Sequence, residues 1–105
     1  MAAEGYHENE DALRPETKDL HRAIRSLMEE FEAVDWYQQR IDVTEDPTLA
    51  RILAHNRDEE KEHAAMVLEW IRRHDPKLDE EPRRLLDVVG QQQDKERSAR
   101  HRRGA

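Results

Sequence analysis

Leu20, Ile24, Leu27, Phe31, Val34, Gln38 and Ile41 follow one another at alternating steps of four and three. That spacing lines them along one side of an α-helix. A proline suits the first helical position because its missing N–H would find no partner there, so the helix is predicted to start at Pro15 or Glu16 and run to about Ile41. A second row reads Leu49, Leu53, Asn56, Glu60, His63, Val67 and Trp70, flanked by Ile52, Ala64, Leu68 and Ile71. It predicts a second helix over about Pro47 to His74, with Arg72, Arg73 and His74 in the last turn, where positive charge suits the helix dipole. Asp75-Pro76 stops it. The connection from Asp42 to Asp46 is short, and Thr44 or Asp46 can cap the following helix. So short a loop makes the two helices antiparallel neighbours. A short third helix is predicted over about Glu81 to Val89, carrying Leu85, Leu86, Val88 and Val89, with Gly90 as its terminator. Residues 1–14 read as a flexible polar lead-in, and 91–105 as a polar, Arg-rich, disordered tail. The fold class is all-α.

Composition changes this picture in one respect. Charged residues make up 41% and hydrophobic residues 35% of 105. A chain so short and so polar struggles to enclose a core alone. Its apolar residues are periodic rather than scattered, which points to helices that associate. The net charge of -7 disfavours nucleic acid as a partner and suits traffic in cations. No apolar run approaches the roughly 18 residues of a membrane span, and no secretory segment follows Met1. The absence of cysteine excludes disulfides, thiolate metal sites and cysteine nucleophiles, and fits a cytoplasmic location.

The candidate chemistry lies inside the second apolar row. Glu60 and His63 are three apart and point the same way from a helix. A charge in a buried stripe is costly unless it is paired or bound to metal. Glu30 sits between Leu27 and Val34 on the first helix, and antiparallel pairing about the 42–46 loop brings it level with Glu60 or nearby. Carboxylates with a neutral imidazole are the ligand set of di-iron and di-manganese sites. Four-helix carboxylate centres take one Glu from each of two helices and Glu-x-x-His from each of the other two. This chain offers one helix of each kind, so a two-fold dimer would supply the whole set.

Neighbouring residues extend the constellation. Tyr37 lies two turns from Glu30 on the same face, suited to donate to a bridging carboxylate or to buffer an electron. Trp36 can wall the site or an interface. Glu29, Glu32 and Asp35 form an acidic patch whose focused potential would draw in divalent cations. His55 and Asn56 lie one turn before Glu59 and Glu60 and can orient a ligand from behind. The bland readings remain open at this level: a polar interhelical network, a solvated acidic face, ordinary aromatic packing, or a helix facing another way. They would make the chain a non-catalytic acidic helical adaptor or a metal-binding interaction protein.

The string Met28-Glu-Glu-Phe-Glu-Ala-Val-Asp-Trp-Tyr-Gln-Gln-Arg40 resembles the encapsulated ferritins. So do Ile52-Leu-Ala-His-Asn-Arg-Asp-Glu-Glu-Lys-Glu-His-Ala64 and Leu68-Glu-Trp-Ile-Arg-Arg73. The resemblance covers about residues 15–78, with both ligand motifs in order. It implies a half-ferritin helical domain, taken here as 15–90, that dimerises into a ferritin-like four-helix bundle. It implies ferroxidase activity, with two iron ions per subunit pair oxidised by O2 and held by Glu30, Glu60 and His63. Tyr37 and Trp36 match aromatics beside the centre. Glu29 and Glu32 match an outer site through which metal enters, where calcium or another divalent cation is accommodated. It further implies a decameric ring of dimers working inside a nanocompartment built by an encapsulin shell protein. Cargo proteins of the family carry a Gly/Leu-rich targeting peptide at the C-terminus; Ser98-Ala-Arg-His-Arg-Arg-Gly-Ala105 shows no copy of it.

Overall fold

The computed structural model describes residues 5–104. Among these, the regular structure is helical throughout: a 3-10 turn at Glu10–Ala12, then α1 (Pro15–Val43), α2 (Pro47–His74) and α3 (Pro76–Gly104). The chain divides into two compact units after Ile71. No helix is long and apolar enough to cross a membrane.

The first unit is a helical hairpin with a folded lead-in. Asn9 Oδ1 accepts from the Asp11 N–H at 3.0 Å and starts the 3-10 turn. Before it, the Tyr6 ring lies 4.7 Å from the His21 ring of α1. Gly5 makes that approach possible: its φ is +88°, and a Cβ there would stand 3.0 Å from His21 Cε1. Pro15 opens α1 with no side-chain cap. The helix ends where the Thr44 N–H bonds the Arg40 carbonyl at 3.0 Å. Asp46, one of the two expected caps, holds the start of α2: its Oδ1 accepts from the N–H groups of Thr48 (2.9 Å) and Leu49 (3.3 Å).

The packing face differs from the expected one in a way that matters. On α1 the partly buried row is Leu20, Ala23, Leu27, Glu30, Val34, Tyr37 and Ile41. Ile24, Met28 and Phe31 point outward, with Met28 53% and Phe31 57% exposed. On α2 the covered row is Ala50, Leu53, Arg57, Glu60, Ala64, Val67 and Ile71. Only Ala64 (3% exposed) and Ile71 (2%) are fully buried among the described residues. Both were expected on the flank; they lie at the centre. An apolar stripe of this width is broader than one neighbour can cover. Ala64 and Ile71 lie in the covered row, and the remaining apolar row is left facing solvent.

The second unit begins in the last turn of α2. Asp75 Oδ1 accepts from the Leu78 N–H at 3.1 Å and Pro76 opens α3. Its first half is laced with ion pairs: Arg72–Asp79 and Lys77–Glu81 at 2.7 Å, Arg84–Glu81 at 2.6 Å. Lys77 and Arg84 hold the Glu81 carboxyl below its ordinary value. The helix is longer than the predicted 81–89 and continues through Gly90 to Gly104. A lone glycine in a run of Gln, Lys, Glu and Arg costs about 1 kcal/mol and does not stop a helix unless it turns to positive φ. Among the described residues only Gly5 does so.

Candidate metal centre

Pairings along the hairpin fix its register. Ala23, Ser26, Val67 and Trp70 line one hollow, and Gln39, Arg40, Val43, Leu49 and Leu53 line another nearer the loop. Between them Arg57 Nη1 donates to Gln38 Oε1 at 2.6 Å. Carried along the helices, these pairings put Glu30 at the level of the α2 turn from Glu60 to Ala64. On α2 itself, Glu60 stands about 4.5 Å closer to the loop than His63, three residues at 1.5 Å each.

Glu30 Oε2 is shut off from solvent and accepts no hydrogen bond among the described residues. A carboxylate oxygen can only accept, and buried ones are ordinarily satisfied. His63 Nδ1 lies 3.6 Å from Glu60 Oε2, beyond hydrogen-bond length. The Glu60 side chain is 26% exposed, whereas His63, expected within the buried stripe, is 52% exposed on the rim. It belongs to the half of the broad stripe that α1 does not cover. One chain therefore brings Glu60 and His63 together but assembles no group of three or more His, Asp or Glu able to hold a metal ion among the described residues. The donor set of two carboxylates and an imidazole, with one oxygen already desolvated, fits half of a dinuclear site.

The flanking residues sort themselves by burial. Tyr37 is partly buried in the α1 packing row, with the Arg40 guanidinium 5.6 Å from its ring centroid. Asn56 is partly buried, Trp36 is half exposed, and Glu29 and Glu32 are open to solvent. Asp35 accepts from Gln39 at 3.2 Å. His55 Nε2 contacts Glu59 Oε1 at 2.8 Å, so it engages the neighbour of Glu60 rather than Glu60 itself. Arg57 went unnoticed in the sequence, where it reads as one more surface charge. The available signal was its place in the row between Leu53 and Glu60, where a cation must find a partner.

Residues 5–88 match the family model described as EncFtn-like. The chain belongs to that family. An encapsulated ferritin-like protein of Rhodospirillum rubrum is 61% identical over 84 residues, which make up 80% of this chain and 60% of that protein. The chain thus spans about three fifths of that relative's length. A ferritin-like protein of Thermotoga maritima is 54% identical over the same share of this chain and 74% of its own. The encapsulin nanocompartment cargo protein EncC of Myxococcus xanthus is 44% identical over 59 residues, 55% of this chain and 45% of its own. A crystal structure of a Nitrosomonas europaea protein is also similar, with a TM-score of 0.71 and 64% identity, covering 73% of this chain and 85% of that one. The all-α fold inferred for this EncFtn-like chain agrees with that likeness.

Proposed function

We propose that two copies of this EncFtn-like chain pair through the uncovered apolar row and complete a di-iron ferroxidase centre. The observation that carries the reading is the desolvated, unpartnered Oε2 of Glu30. An acceptor placed out of water without a donor is explained when a cation takes the donor's place. Pairing would bring two Glu30, two Glu60 and two His63 to one centre. Two Fe(II) ions are the substrate, and dioxygen takes the electrons. The carboxylates stabilise the charge that rises on oxidation; Glu60, less exposed than His63, is the better placed to bridge, with Glu30 terminal. His63 binds only as neutral imidazole, so metal affinity falls as the pH is lowered. Glu29 and Glu32, exposed on the neighbouring face, gather cations without serving as inner ligands.

An anaerobic Fe(II) titration followed by air tests this. Fast oxygen-dependent colour is expected in the parent and its loss in Glu60→Ala and His63→Ala. Unchanged oxidation in both variants rules the site out. A chain acting only as an acidic adaptor would bind no Fe(II) tightly and give no colour. The proposed partner is an encapsulin shell, supported by the likeness to a cargo protein of such a compartment. An open assembly of helical hairpins would have no cavity to hold the oxidised product, and a shell would supply one. Co-expression with a shell protein and purification of intact shells containing the chain is the corresponding check.

A further inference from the structure

We infer that Arg57 and Gln38 are a positioning pair that sets the axial level of Glu30 against Glu60 and His63. This rests on the metal-centre reading above. The Arg57 guanidinium reaches across the hairpin to Gln38 Oε1 at 2.6 Å and bonds Asp58 Oδ1 through Nε at 3.0 Å. Its side chain is only 21% exposed. The other end of the Gln38 amide donates to Asp42 Oδ1 at 2.9 Å. Both ends of the amide are thus engaged, and the guanidinium is held from two sides. The chain of bonds runs from a carboxylate on α2, through the guanidinium and the amide, to a carboxylate on α1.

The apolar rows cannot set this level by themselves. Leu20, Leu27, Val34 and Ile41 recur every seven residues, and the facing row carries three side chains as interchangeable as Leu53, Val67 and Ile71. Aliphatic rows of this kind tolerate slippage, whereas a directional polar contact selects one register. A slip of one residue moves a ligand by about 1.5 Å and swings it about 100° around the helix. Metal coordination tolerates only about 0.2 Å. Arg57 precedes Glu60 by three residues on one face, so what holds Arg57 also holds the turn that carries Glu60.

The test uses the full chain and Co(II) as probe, read by visible absorption, with circular dichroism melts and solution mass alongside. Gln38→Ala and Arg57→Met are each expected to weaken Co(II) binding about tenfold and shift the visible band, the usual scale for groups behind the ligands. The double variant should be no weaker than Arg57→Met alone. Arg57→Lys keeps a donor on a long stem and should recover to within about threefold of the parent. If Gln38→Ala binds as the parent does, the pair does not position the site, whatever Arg57→Met shows. Should Arg57→Met fail to fold, Gln38→Ala still decides, since it removes the same bond from an exposed side chain. His63→Ala separates the two levels. If it leaves Co(II) binding unchanged, the metal centre itself is wrong and the pair's role falls with it.

Discussion

Replacing Glu30 by methionine should reverse the stability order of the protein with and without metal. Glu30 Oε2 is buried without a hydrogen-bond partner among the described residues. An unsatisfied buried acceptor costs about 1–3 kcal/mol. Glu30 as a whole is only partly buried, which places the expected cost near the lower end, about 1 kcal/mol. Methionine has nearly the same length and no polar atom. In a chelator the Glu30→Met protein should therefore melt higher, by about 4–8 °C for a gain of about 1 kcal/mol in a domain of this size. With a divalent metal the order inverts. A ligand at a hundred times its dissociation constant stabilises the folded state by about 2.7 kcal/mol, and a chain without Glu30 forgoes most of it. Circular dichroism melts of both proteins in EDTA and in saturating Mn(II) read both effects. Two results refute the reasoning. A lower melting temperature for Glu30→Met in EDTA means that the oxygen already has a donor, for instance from a second copy. Equal stabilisation of both proteins by Mn(II) means that Glu30 is not a ligand.

Ala64→Leu should destabilise by about 1–3 kcal/mol, because Ala64 is 3% exposed and a larger side chain overpacks such a site; an unchanged melting temperature would contradict its burial in packed surroundings. Met28→Asp with Phe31→Asp should keep the chain monomeric, since both side chains are more than half exposed and an apolar row of this kind would be buried by pairing; light scattering reads the mass, and an intact dimer would place the interface elsewhere. The Asp58 carboxyl is held below its ordinary 3.8 by hydrogen bonds from Arg57 and Lys61. Its folded value is depressed, so its contribution is complete above 3.8 and is lost as the pH falls below it. Urea midpoints of the parent and Asp58→Asn should accordingly converge in acid and separate at neutral pH. Ala at both Glu29 and Glu32 should slow iron loading while leaving the final extent of oxidation intact; a loss as complete as that of Glu60→Ala would make them inner ligands.

Periodicity and caps are local properties, and the sequence carried them. The bounds of α2, the start of α1, the Asp46 cap and the break at Asp75-Pro76 follow from the side chains of the residues concerned. The nearness of Glu60 and His63 also needed only the pitch of a helix. Three things were decided by tertiary structure. Which row of a broad apolar stripe is covered depends on where the partner helix lies, and here Ala64 is buried while His63 is exposed. Arg57 bonds Gln38 across the hairpin, nineteen residues away, which no local pattern announces. The Oε2 of Glu30 is buried without a hydrogen-bond partner among the described residues, which the sequence around it does not announce. A helix turn fixes directions within about four residues, whereas register and desolvation arise when two such surfaces meet.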